Sequence, residues 1–142
     1  MALQEGRRFL CEGKPRLAIP AALEALKFLT EIHGGSHTQL TPAYLIMAEA
    51  AIGGLKCFPA LQQVVLHSGL GRINEANQYL SQAQWSVLKA SEVDPLIKSN
   101  LHRNLGLLAV TKNDLNEAKK QFAEDVSEHQ SICYKFFFFK EN

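Results

Sequence analysis

The chain has 142 residues, 46% hydrophobic and 20% charged, with 15 basic and 14 acidic side chains and a formal net charge of +1. That length and composition suit one ordinary globular domain able to bury roughly 70% of its unfolded surface, and they exclude an intrinsically disordered chain. The near-neutral balance also excludes the basic stripe of a dedicated nucleic-acid binder. Cys11, Cys57 and Cys133 are odd in number and widely spaced. They make no disulfide framework, so a reducing compartment is expected. The opening residues, Met1 to Arg8, lack the apolar stretch of a secretory leader, and no apolar run approaches the roughly 20 residues that span a bilayer. A cytoplasmic chain without integral membrane association is the expectation.

In chain order, apolar residues recur at three- and four-residue steps, the period of one helix face. Helices are expected near 3–12, 15–32, 41–53, 58–67, 72–90, 95–111 and 114–127. The second carries Leu17, Ala18, Ala21, Ala22, Ala25, Leu29 and Ile32 on that period, and Pro20 within it predicts a local bend. Gly13-Lys14-Pro15 and Lys112-Asn113 suit tight turns, and Gly34-Gly35-Ser36 is a break. Thr41-Pro42 and Asp94-Pro95 each place a capping oxygen before a proline whose missing amide costs nothing at a first helical position. Asp114-Leu115-Asn116-Glu117 has the spacing of a capping box. Short turns between such helices make antiparallel hairpins, so the fold class expected is all-α.

One pattern recurs across the chain. Leu105-Gly106 is followed by Ala118 twelve residues past the glycine and by Phe122 four further on. Gly6 is followed by Phe9, by Ala18 at the same twelve-residue step, and by Ala25. A third copy has Ala76, Leu80 and Ala83 in its second helix. It regains the spacing with Ala48 in its first helix if sixteen residues, Gly54 to Gly69, are set aside. Three hairpins of about 42 residues are therefore expected over 1–127, with an insertion near 54–69. Small residues let paired helices approach, and large ones fill the holes between hairpins.

These signatures resemble the tetratricopeptide-repeat family. The stretch Gly71-Arg72-Ile73-Asn74-Glu75-Ala76 through Asn104-Leu105-Gly106-Leu107-Leu108 is similar to the repeat region of MYND zinc-finger proteins associated with motile cilia and sperm flagella. The resemblance implies a short solenoid of helix hairpins and a non-enzymatic scaffold for protein or peptide partners, with a ciliary or flagellar setting. It does not bring zinc or any other cofactor, because three isolated cysteines cannot supply the ligand clusters of a MYND module. The final residues, 128–142, include Phe136 to Phe139, where a repeat array needs a polar closing surface. They are expected to form an atypical, poorly ordered tail. Insertion and tail together give an alternative expectation, a truncated or splice-variant product of impaired function after Val126. A fragment related to MYND-type methyltransferases is a further alternative.

The resemblance places the partner-binding residues on the first helix of each hairpin: Arg7, then Leu45 and Glu49, then Asn100, Arg103, Asn104 and Leu107. Arginine and asparagine suit the backbone and carboxylates of an extended peptide, and a solvated surface is the plain alternative. The Lys/Asn/Arg set that clamps a C-terminal carboxylate in some relatives is incomplete here, where Leu3 and Arg7 stand in the first unit and Asn100 and Asn104 in the third. His33 and His37 lack further ligands nearby and suit a loop better than a metal site. Trp85 is expected to pack between hairpins. No Ser/His/Asp order or paired-carboxylate motif marks a catalytic centre.

Overall fold

Helix-forming residues fill almost every segment that can be described, and the structure, a computed structural model, realises them as six α-helices and one 3-10 turn. It describes residues 1–35, 37–52 and 62–139, with the backbone alone for 62–71 and 132–139. The elements are α1 (Ala2–Cys11), α2 (Pro15–His33), the 3-10 turn Thr38–Leu40, α3 (Thr41–Ile52), α4 (Gln62–Lys89), α5 (Pro95–Thr111) and α6 (Leu115–Phe139). The chain divides into two compact units, Met1–Ala90 and Ser91–Asn142.

In the first unit α1 packs on α2, α2 on α3, and α3 on α4, while α1 also reaches α3. Alanine makes this closeness possible. Ala18 and Ala22 of α2 meet Ile46, Met47 and Ala50 of α3 in one buried cluster, and Leu3, Phe9, Leu10, Leu26, Tyr44 and Tyr79 pack around it. Helix α3 is apolar around most of its circumference, with Glu49 its one charged residue, and Thr41, Ala43, Leu45, Ile46, Met47, Ala48, Ala50, Ala51 and Ile52 are all buried. A helix with so little polar surface is stable only when it is largely enclosed. Gly6 lies on α1 where a Cβ would stand 3.2 Å from Ile46 Cγ2 and 3.6 Å from the carbonyl oxygen of Ala18. In α4, Ala76, Leu80 and Ala83 are buried.

The second unit is the hairpin of α5 and α6. Its centre is Gly106, where a Cβ would fall 2.6 Å from Cε1 of Phe122 and 2.8 Å from Cδ1. The phenyl ring fills the volume that any other residue at 106 would need. Ala118 is buried on α6, and Leu105 is partly so on α5.

The two hairpin turns are built alike. At the end of α1, Gly13 has φ 70°, its amide donates to the carbonyl of Leu10, and the Lys14 amide donates to that of Phe9 at 2.8 Å. At the end of α5, Asn113 has φ 61°, its amide donates to Val110, and the Asp114 amide donates to Ala109 at 2.9 Å. Both are Schellman closures, which need a left-handed residue; glycine is the first choice there and asparagine the second. In each hairpin the glycine stands seven residues before this residue and twelve before the alanine.

Of the three expected helix caps, one forms as expected and two take a different form. Asp94 caps α5, its Oδ1 accepting from the Leu96 amide at 2.9 Å. Thr41 does not cap α3. It is itself helical (φ −53°, ψ −45°), because the 3-10 turn before it runs straight into the helix, whereas an N-cap residue is extended. His37 takes the capping place, its Nδ1 accepting from the Gln39 amide at 3.2 Å. The Thr41 hydroxyl is left buried without a partner. The capping box of α6 is half formed. Asp114 Oδ1 accepts from the Glu117 amide, but the Asp114 amide is already committed to Ala109 in the turn, so Glu117 Oε1 accepts from Gln121 instead.

Pro20 sits inside α2, which runs on through it. The separate helices expected over 58–67 and 72–90 are not separate: α4 crosses Ser68-Gly69-Leu70-Gly71 unbroken. One glycine in a helix costs only about 1 kcal/mol, which favourable neighbours outweigh. Of the expected insertion, residues 54–61 lie outside the described residues, and 62–69 are the first turns of α4. Helix α6 does not stop at 127 but continues to Phe139. No proline or glycine follows Asn113, and nothing in that stretch signals a stop.

Two substitutions test this packing by thermal unfolding followed by circular dichroism. Gly106→Ala is expected to destabilise the chain by about 1–3 kcal/mol through overpacking against Phe122, despite alanine's better helix propensity. Thr41→Val keeps the shape and removes an unpaired buried hydroxyl, so it is expected to stabilise by about 1 kcal/mol.

Candidate interaction surface

Helix α5 divides its residues among three directions. Ser99, His102, Gly106 and Ala109 recur at three- and four-residue steps, and the first three meet α6 through Asp125, Gln121 and Phe122 respectively. Leu101, Asn104 and Leu108 form a second buried stripe. The remaining line is Leu96, Asn100, Arg103, Leu107 and Val110. Leu96, Arg103 and Val110 are exposed, and Asn100 and Leu107 are partly so. This line presents one cation and one amide among apolar side chains, chemistry that can hold an extended acidic or backbone-rich segment.

Three of the four residues predicted for partner contact in the last hairpin, Asn100, Arg103 and Leu107, therefore share one accessible face. Asn104 does not join them. It is 3% exposed, its Nδ2 donates to the Asn100 carbonyl at 2.9 Å, and its Oδ1 is buried without a partner. In the first unit Arg7 is exposed on α1 and Glu49 is partly buried on α3. Leu45 is 7% exposed and faces the packing of its own chain, as do most residues of α3. Sequence periodicity cannot separate a concave face from a buried one when the helix is apolar around most of its circumference.

Other expected features also move. Trp85 is 56% exposed, not packed away, and Lys89 Nζ lies 4.9 Å from its ring centroid. A cation over an indole face is attracted by the ring's negative quadrupole. His33 and His37 stack with ring centroids 4.9 Å apart. Among the described residues no three His, Cys, Asp or Glu side chains gather into a group that could hold a metal ion. Nor is any described helix long and apolar enough to cross a membrane.

One constellation was not visible in the sequence. Ser99 of α5 and Asp125 and His129 of α6 come together across the hairpin. Ser99 Oγ lies 2.5 Å from Asp125 Oδ1 and 2.7 Å from His129 Nδ1, and Nδ1 lies 3.2 Å from the same carboxylate oxygen. The residue types match a hydrolase triad, but the wiring does not. A triad uses one imidazole nitrogen for the carboxylate and the other for the hydroxyl. Here Nδ1 faces both, and Ser99 is fully buried. A second polar link lies beside it, with His102 Nδ1 2.8 Å from Gln121 Oε1 and Gln121 Nε2 donating to Glu117 Oε1 at 2.7 Å. Both links join α5 to α6 on the side that Gly106 and Phe122 occupy. The signal that could have found them is the antiparallel hairpin register, which pairs 99 with 125 once Gly106 is paired with Ala118.

No family model matches the chain.

Burial separates the predicted contact residues by stability. Leu45→Ala is expected to cost about 2–5 kcal/mol as a buried large-to-small change. Arg7→Ala and Arg103→Ala are expected to stay within about 0.5 kcal/mol of the parent chain. Chemical denaturation of the three variants reads this difference.

Proposed function

We propose that the chain is a non-enzymatic scaffold of the tetratricopeptide type that binds an extended segment of a protein partner along α5. The observation that carries this reading is the repeated hairpin. Gly6 and Gly106, Gly13 and Asn113, and Ala18 and Ala118 occupy the same places in two hairpins closed by the same turn. A unit used twice with its spacing intact is what a repeat array requires. The third hairpin is then α3 with α4, in which Ala48 and Ala76 are both buried. α4 has 28 residues against the 12 of α3, which is consistent with extra sequence within this hairpin.

Within this reading the contact residues are Asn100, Arg103 and Leu107. Leu96 and Val110 supply apolar area at either end of the line. The resemblance to ciliary MYND-type repeat proteins suggests where to look for the partner, an axonemal or flagellar assembly. It supplies neither zinc nor a catalytic domain to this chain.

The test is capture from extracts of ciliated cells with the wild-type chain and with Arg103→Glu, followed by titration calorimetry on each captured protein. A partner that binds the parent chain and loses tenfold or more affinity to the charge-reversed variant, with unfolding temperature unchanged, supports the scaffold reading. Failure to capture any protein, or capture indifferent to Arg103, removes α5 as the binding face.

A further inference from the structure

Both polar links across the second hairpin end on a carboxylate, and this fixes where the protons lie on two imidazoles. His129 Nδ1 has three oxygens within reach: Ser99 Oγ at 2.7 Å, Asp125 Oδ1 at 3.2 Å and the Asp125 carbonyl at 3.3 Å. An ionised carboxylate and a backbone carbonyl can only accept. Ser99 has a single proton, and its shortest contact, 2.5 Å, is to the Asp125 carboxylate. Its oxygen therefore offers Nδ1 only a lone pair. With three acceptors around it, Nδ1 must carry the hydrogen.

His102 reaches the same state by a different route. Glu117 Oε1 can only accept, so the end of Gln121 that faces it at 2.7 Å is the amide nitrogen. The amide oxygen then faces His102 Nδ1 at 2.8 Å, and that nitrogen must donate. In the first unit the order is reversed. His37 Nδ1 accepts from the Gln39 amide, so its proton lies on Nε2.

We infer that His102 and His129 are held in the Nδ1–H tautomer by donor chains ending on Glu117 and Asp125, while His37 is held in the Nε2–H form. The basic nitrogen of both rings in the α5–α6 hairpin is then Nε2. When either ring gains a proton it gains it there, and neither cross-link is broken. The charged group in contact with His129 is Asp125 from its own helix, and α5 contributes the neutral hydroxyl of Ser99. Glu117 reaches His102 through Gln121. His37 behaves oppositely, because a proton added at its Nδ1 removes the acceptor that caps the 3-10 turn. The two units thus answer histidine protonation differently: one keeps its links and the other loses a cap.

The measurement is a two-bond proton–nitrogen correlation spectrum of the uniformly nitrogen-15-labelled full chain, recorded above about pH 8, where histidine rings are ordinarily neutral. The nitrogen coupled to both ring protons is Nε2. It is expected to resonate as unprotonated in His102 and His129 and as protonated in His37. Asp125→Ala removes the acceptor for the Ser99 hydroxyl, which can then donate to His129 Nδ1 at 2.7 Å. The His129 ring is then expected to switch to Nε2–H while His102 stays as it was. A protonated Nε2 at His102 or His129 in the wild-type chain overturns the inference, and that reading needs no substitution. An Nδ1 proton retained on His129 in a folded Asp125→Ala chain overturns the role given to the carboxylate.

Discussion

At position 106 the chain has no side chain, and the ring of Phe122 stands in the space thus left. That contact sets how near α6 can come to α5, and the other features of the hairpin depend on it. The hydroxyl of Ser99 is short and reaches Asp125 only because the helices are already close. The turn at Asn113 closes on the carbonyls of Val110 and Ala109 in the last turn of α5 and so starts α6 beside it. The first unit applies the same constraint with smaller pieces. Gly6 and Ala18 admit Ile46, and Ala18, Ala22 and Ala50 lie in one buried cluster with Ile46 and Met47. Dispersion and apolar burial scale with contact, so this is where the stability of both units is concentrated.

Closeness alone does not choose a register, since an alanine-rich seam can slide. In the second unit the polar links make the choice. Moving α6 by one residue would rotate Asp125 and Gln121 away from their partners and leave a buried serine hydroxyl unpaired, a cost of about 1–3 kcal/mol. The donor chains add direction as well as position, because each begins on an imidazole and ends on a carboxylate. The first unit fixes its fit by shape, around the largely enclosed helix α3, and has no comparable ladder among the contacts described. The unpaired hydroxyl of Thr41 and the buried Oδ1 of Asn104 are the places where this polar accounting stays open.

Much of this could be read in advance. Period and turn chemistry located α1, α2, α5 and the start of α6 within a residue or two, and spacing singled out Gly106, Ala118 and Phe122 without showing that the ring lies against Gly106 of its own hairpin. Misreadings arose where local signals were outweighed. Thr41-Pro42 does open α3, but Thr41 is helical and does not cap it, because the 3-10 turn supplies the preceding peptide groups. Gly69 and Gly71 looked like an end, yet the helix crosses them. Leu45 and Asn104 looked accessible because periodicity gives a direction around a helix without saying what lies in that direction. Ser99, Asp125 and His129 are 26 and 30 residues apart in pairs and carry no local motif. Only the hairpin register unites them.

Between the glycine of each hairpin and its alanine lie helix, turn and helix with no slack. One residue added or lost there would turn the second helix by about 100° about its own axis, carrying its alanine away from the seam. The left-handed position already differs between the copies, glycine in one and asparagine in the other, and so do most of the side chains around it. In the history of such a chain these stretches can change their letters freely and their length hardly at all. Insertions and deletions that survive should therefore gather outside the Gly6–Ala18 and Gly106–Ala118 intervals.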